Sequence, residues 1–191
     1  METFAWPASM PVSAPSTKVA VLLPGSGYKV EFPLLYWPTQ MLAGLGWHVQ
    51  AVRWTDDDEP AADPHGFVGH AAEYAFAQAP EAAIRLVVAK SFGSLAIPWA
   101  EAAGIPAVWL TPLLTDPAVR ASVLGSSKED LFIGGSLDTL WNPAGLGGAA
   151  GTFVEIPGTG HSLEVAGDWR ASLAAQAQVF NHVRDFVNNL G

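Results

Sequence analysis

Cysteine is absent from the 191 residues, which excludes disulfides, thiolate metal sites and cysteine nucleophiles together. That absence fits a reducing compartment. Basic residues are scarce as well, 9 against 18 acidic ones, for a formal net charge of −9. They form no Lys/Arg cluster, so nothing here attracts a phosphate backbone, and a nucleic-acid partner is not expected. No stretch runs the length of a membrane span without Gly, Pro or a charge, so none is read as one. Met1 to Lys18 lack the basic start and apolar core of a secretory leader, and a cytoplasmic location is the expectation. His48, His65, His70 and His182 show no metal-ligand spacing. The run Asp56-Asp-Asp-Glu59 reads as a solvated loop rather than a cation site. No metal and no cofactor are expected.

What the chain does have is apolar material. Half of the residues are hydrophobic, and 19 Gly and 15 Pro punctuate them instead of forming a low-complexity tract. Short apolar runs at 19–23, 49–54, 86–89, 107–110, 131–134 and 152–156 alternate with helical patterns, the mark of βαβ units and a parallel sheet covered on both faces. The helical spacings are Leu34, Trp37, Met41 and Leu45; then Phe67, Ala71, Tyr74 and Ala75. A third helix runs from Phe92 to Ala103, ended by Gly104 and Pro106. The last has the stripe Trp169, Leu173, Phe180, Val183, Val187 and Leu190 behind Asp168 as N-cap. Residues 114–128 read as one short helix within a loop, 142–151 as a glycine-rich connection, and 1–17 as an irregular segment. One domain over 1–191 is expected.

The chemistry begins at Ala89-Lys-Ser-Phe-Gly93, where an apolar strand runs into Ser91 and a helix follows. A strand–turn–helix corner this tight needs small residues two before and two after the serine, and it exposes the hydroxyl beside a helix N-terminus. Ser91 could equally be a plain N-cap, and the pentapeptide alone does not decide. Two further strands lead into loops that end in a suitable residue: Gly134-Gly-Ser-Leu-Asp138, and Ile156-Pro-Gly-Thr-Gly-His161. Ser91, Asp138 and His161 thus each follow a separate strand, at the edge where parallel sheets bind ligands, in the chain order Ser, Asp, His. Asp116 and Asp130 are alternative acids, but neither follows a strand through a glycine turn.

A fourth element, Pro24-Gly-Ser-Gly-Tyr28, is a glycine turn after the first apolar run. It lacks the third glycine of G-x-G-x-x-G and the Lys-Ser/Thr of a P-loop, so nucleotide phosphate is not its ligand. It suits an oxyanion loop instead. The backbone N–H of Phe92 would supply one donor and that of Ser26 the other, with Gly27 as second choice. Gly27, Tyr28 and Trp141, which follow these loops, are candidates for a substrate pocket.

Together Pro24-Gly-Ser-Gly, Ala89-Lys-Ser-Phe-Gly, Gly135-Ser-Leu-Asp and Gly158-Thr-Gly-His resemble the α/β-hydrolase superfamily, in particular its small lidless serine hydrolases. The resemblance runs from about Lys18 to Leu190. Ala89 replaces the first glycine of the usual motif, and Pro24 stands where many relatives have histidine. The resemblance implies an α/β fold, a three-layer sandwich with a mainly parallel sheet of about six strands, the family's first strands being reduced or missing. With only a short segment between Leu114 and Asp130, no cap domain is expected. It implies hydrolysis of an ester or thioester, a small-molecule acyl substrate, with Ser91 as nucleophile, His161 as base and Asp138 as its orienter. The rival expectation is a non-catalytic binding or regulatory protein on the same scaffold.

Overall fold

The structure, a computed structural model, describes residues 1–7, 18–55, 62–126 and 130–190. Residues 8–17 and the acidic run 56–59 lie outside the described residues. In chain order the elements are β1 (Glu2–Ala5), β2 (Lys18–Leu23), α1 (Pro33–Gly44), β3 (His48–Arg53), α2 (Pro64–Gln78), β4 (Ile84–Lys90), a 3-10 turn (Ser91–Ala96), α3 (Ile97–Ala103), β5 (Ala107–Leu110), α4 (Pro117–Gly125), β6 (Leu131–Gly135), β7 (Thr152–Ile156) and α5 (Trp169–Asn188). The strands form one open sheet in the order β1-β3-β2-β4-β5-β6-β7. All neighbours are parallel except β1, which runs antiparallel to β3 with Glu2 opposite Arg53.

That first strand corrects the expectation of about six strands and of an irregular amino-terminal segment. It is a four-residue edge strand with both ends exposed, too short and too polar to register as an apolar run. Each face of the sheet has its own core, because successive strand residues point to opposite sides. Leu86 and Val88 of β4 face α1 and α5, whereas Val87 and Ala89 face α2, α3 and α4. This double burial is why the strands are apolar at consecutive positions.

The helices occupy the expected stretches, with two differences in the buried face. In α1 the buried residues are Leu34, Leu35, Pro38, Thr39 and Leu42, and Trp37 is 53% exposed. In α5, Ala175, Val179, Val183 and Val187 make the contact, while Trp169 and Leu173 at its start face outward. Asp168 caps α5 by accepting from the Ala171 amide. The third helix does not start as an α-helix at Phe92: Pro98 has no N–H to give the Ser94 carbonyl, and the segment before it is wound as a 3-10 turn closed by Ile97 N–H to Ser94 O. Gly104 ends α3 in the left-handed conformation, at φ 64°. Between β5 and β6 the only element among the described residues is α4, and no cap domain is inserted. No helix among them is long and apolar enough to cross a membrane.

The strand order places the functional edge. The chain travels from β2 through α1 outward to β3, then returns past β2 to β4 and continues outward the other way. The loops after β2 and β4 therefore part at the topological switch point, where parallel sheets leave a crevice at the carboxyl ends of their strands.

Candidate active site

Ser91 stands directly beyond β4, with φ at +51°. An L-residue is strained in this left-handed region, and the sharp reversal it makes lifts the side chain off the end of the strand. The corner works only with a small residue at position 93. A Cβ on Gly93 would lie 2.5 Å from the Leu23 carbonyl oxygen of β2, so the chain after the serine passes against the neighbouring strand's backbone.

β5 is short, and β6 and β7 outrun it. Leu110, the last residue of β5, pairs with Ile133, while β6 and β7 continue to the pair Gly135 and Ile156. Thr111 then turns the chain away at φ +45°. The loops after β6 and β7 can thus reach across β5 to the serine. They also hold each other. The Ser136 amide donates to Ile156 O, the Leu137 amide to Thr159 O at 2.9 Å, and the Gly158 amide to Ser136 Oγ at 2.8 Å. Gly135 allows this approach, since a Cβ there would sit 2.3 Å from Thr159 O and 2.7 Å from Gly160 O.

These loops bring Asp138 and His161 together with Ser91. Asp138 Oδ2 lies 2.7 Å from His161 Nδ1, and His161 Nε2 lies 2.7 Å from Ser91 Oγ. The aspartate side chain is only 2% exposed, the imidazole 33%. Its other oxygen, Oδ1, accepts from the Leu140 amide at 3.0 Å, which fixes the carboxylate plane. A carboxylate on Nδ1 holds the tautomer whose Nε2 can accept a proton from the hydroxyl. The arrangement is a serine hydroxyl, a base and an acid in one hydrogen-bonded line.

The two other acids are engaged elsewhere. Asp130 is buried and accepts from the Ala107 amide and Trp109 Nε1. Asp116 caps α4 and pairs with His65 at 3.0 Å.

The loop after β2 folds over the corner. The Tyr28 amide donates to Gly25 O at 3.2 Å, closing a turn in which Gly27 takes φ +66°, as the third position of a type II turn requires. Ser26 and Gly27 are exposed at its tip. Beside it lies a cavity of about 590 Å³, within the size of small-molecule sites. Its inner wall is aromatic: Tyr28, Trp54, Phe67 and Phe92, the last three packed ring against ring at centroid distances of 5.2 to 6.5 Å. At its mouth Arg53 pairs with Glu31 at 2.6 Å.

Gly27 and Tyr28 therefore border the cavity, but Trp141 does not. The Trp141 ring fills the space over Gly134, where a Cβ would come within 2.1 Å of it. Its Nε1 donates to Glu155, so it is a core residue rather than a pocket wall. Sequence reasoning passed over Trp54, although it follows β3 at the sheet's ligand edge, and over Phe67 on α2.

No family model and no curated protein matches the chain. Solved structures do. An α/β serine hydrolase without a lid from Xanthomonas campestris has 18% identity over 97% of this chain and 95% of its own, with a TM-score of 0.64. An α/β serine hydrolase homologue from Coxiella burnetii has 11% identity over 97% and 96%, with a TM-score of 0.69. Est1E from Butyrivibrio proteoclasticus with bound ferulic acid has 14% identity over 99% and 94%, also with a TM-score of 0.69. The chain has the α/β-hydrolase fold. In this sheet β1 is the antiparallel edge strand, and Ser91 stands at the strand-to-helix turn after β4.

Proposed function

We propose that this chain is a serine hydrolase that cleaves an ester or thioester through Ser91, His161 and Asp138. The observation that carries the reading is the continuous line of short hydrogen bonds from Asp138 through His161 to Ser91, ending on a serine held at positive φ. A plain helix cap would need neither the strained turn nor a histidine from 70 residues away on its hydroxyl. His161 takes the hydroxyl proton as Oγ attacks the acyl carbonyl, and Asp138 stabilises the imidazolium that forms. The imidazolium then protonates the leaving alcohol or thiol. Water, deprotonated by the same imidazole, attacks the acyl carbon, and the acid leaves as the imidazolium returns the proton to Ser91 Oγ.

The tetrahedral oxyanion is bound by the Phe92 amide at the start of the 3-10 turn and by the Ser26 or Gly27 amide of the turn after β2. Neither of the latter closes that turn, whose hydrogen bond is made by Tyr28. Each such donor is worth about 2.7–4 kcal/mol of barrier. The acyl group occupies the aromatic cavity beside these donors. Arg53 at its mouth is paired with Glu31 and the inner wall is aromatic, so an uncharged acyl chain is preferred.

Labelling by a fluorophosphonate, together with hydrolysis of acyl esters and thioesters of graded chain length, tests the assignment. Ser91→Ala and His161→Ala should each lower kcat by several orders of magnitude and remove labelling. Near-normal turnover by either folded variant overturns it. Absence of both labelling and turnover in the folded wild type would favour a binding protein on this scaffold.

A further inference from the structure

Lys90 precedes the serine, yet the chemistry above makes no use of it. The residue is only 4% exposed, a rare position for a lysine. The last residue of β4 lies on the same side of the sheet as Val88, towards α1 and α5, and there its stem and its head meet opposite ends of one turn. At the near end, Gly25 is packed on the stem: a Cβ on Gly25 would come 3.2 Å from Lys90 Cδ and 3.3 Å from Ser91 Cβ. At the far end, the ammonium lies 4.8 Å from the centroid of the Tyr28 ring, within cation–π range. Gly25 and Tyr28 are the residues joined by the hydrogen bond that closes the turn. Tyr28 is anchored behind, its hydroxyl accepting from the Leu34 amide of α1 at 3.0 Å. One side chain therefore braces both ends of the turn whose tip carries Ser26 and Gly27.

We propose that Lys90 is a positioning residue whose charged head, held against Tyr28, keeps the oxyanion loop in register with Ser91. This rests on the serine-hydrolase reading. The brace is strongest when the ammonium is charged, because the attraction to the ring quadrupole is electrostatic. Burial pushes the Lys90 ammonium down to about 8, partly countered by the Asp138 carboxylate. The other ionisable groups of this corner are Tyr28 from the loop after β2, and His161 and Glu164 from the loop after β7. Tyr28, pushed up to about 12 chiefly by burial, with Glu164 adding to the rise, stays neutral through the assay range. Lys90 discharges on the alkaline side, and the turn loosens as it does.

The signature is a fall in kcat as pH rises through about 8, with KM little changed, because the oxyanion donors act in the transition state. Lys90→Met keeps the length of the stem and removes the charge. It should lower kcat at pH 7 by about tenfold or more, leave KM within about twofold, and abolish the alkaline fall. Tyr28→Leu should do the same to the pH profile, while Tyr28→Phe, which keeps the ring face, should retain the alkaline fall. The double variant Lys90→Met/Tyr28→Leu should be no slower than the slower single one. If Lys90→Met does not fold, the Tyr28→Leu and Tyr28→Phe profiles decide between the outcomes. A wild type that turns over ester by way of Ser91 but shows no alkaline fall overturns the role of Lys90 alone. So does a Lys90→Met enzyme with wild-type kcat, or one that keeps the fall. A wild type with no Ser91-dependent turnover overturns both proposals.

Discussion

Gly135→Ala probes the site without touching any reacting atom. The added methyl would sit 2.3 Å from Thr159 O and 2.7 Å from Gly160 O, both backbone atoms of the loop that delivers His161. To restore an ordinary contact that loop must withdraw by about 1 Å. It cannot pivot freely, since the Leu137 and Gly158 amides tie it to the loop carrying Asp138. The displacement therefore passes to the gap between His161 and Ser91, now 2.7 Å. A misplacement of ~1 Å in a reacting geometry costs on the order of 100-fold in rate, or about 2.7 kcal/mol of barrier. Overpacking itself destabilises by about 1–3 kcal/mol, which lowers the melting midpoint of a domain this size by roughly 2–12 °C. Ester turnover, the rate of fluorophosphonate labelling and thermal unfolding would be measured on one preparation. A folded variant with kcat/KM within threefold of wild type and an unchanged labelling rate refutes the reasoning. It would mean that the contact between the two loops does not set the position of the imidazole.

Asp138→Asn should leave the fold intact and reduce kcat by about 10⁴-fold, because the amide favours the wrong imidazole tautomer; steady-state kinetics on the folded variant give the answer. Asp130→Ala should do the reverse. It strands the Ala107 amide and Trp109 Nε1, at about 1–3 kcal/mol for each buried donor. Denaturant melts should show the loss while activity per folded molecule stays near wild type. Asp116 offers a pH test. Burial pushes its carboxyl up, but the Val119 amide, His65 and the Ala118 amide outweigh this and hold it below the usual range. A carboxyl depressed in the folded state adds stability above its unfolded value and loses it as pH falls through the folded one. Asp116→Asn should therefore flatten the decline in stability as pH falls through and below the ordinary carboxylate range; equal slopes for the two proteins would exclude this contribution.

How much of this could be read from the chain alone differs by element, for physical reasons. The central strands are legible because helices cover both faces, so residues 19–23 of β2, 86–89 of β4 and 107–110 of β5 are apolar in succession. β1 is not, because an edge strand of four residues with exposed ends owes its pairing to β3 rather than to its own pattern. Helix stretches are legible, but the exact buried face is less so. Trp37, Trp169 and Leu173 fit the spacing yet point to solvent, since hydrophobicity alone does not force a large side chain inward. At the site, the meeting of Ser91, Asp138 and His161 follows from one rule, that loops after parallel strands share an edge. Trp141 shows where that rule stops: a residue just beyond a strand end can still fold back over a glycine such as Gly134. The cavity wall of Trp54, Phe67 and Phe92 draws on the residue after β3, on α2 and on the 3-10 turn, and no local spacing connects them.

β1 also supplies Glu2 and Phe4 to the cavity wall. Among the described residues it pairs with β3 alone, so this part of the lining is not built into the parallel framework that carries Ser91, Asp138 and His161. A library randomised at those two positions could reshape which molecules enter while the chemical machinery is left untouched. On the serine-hydrolase reading proposed above, specificity and catalysis are, on this edge, separately evolvable.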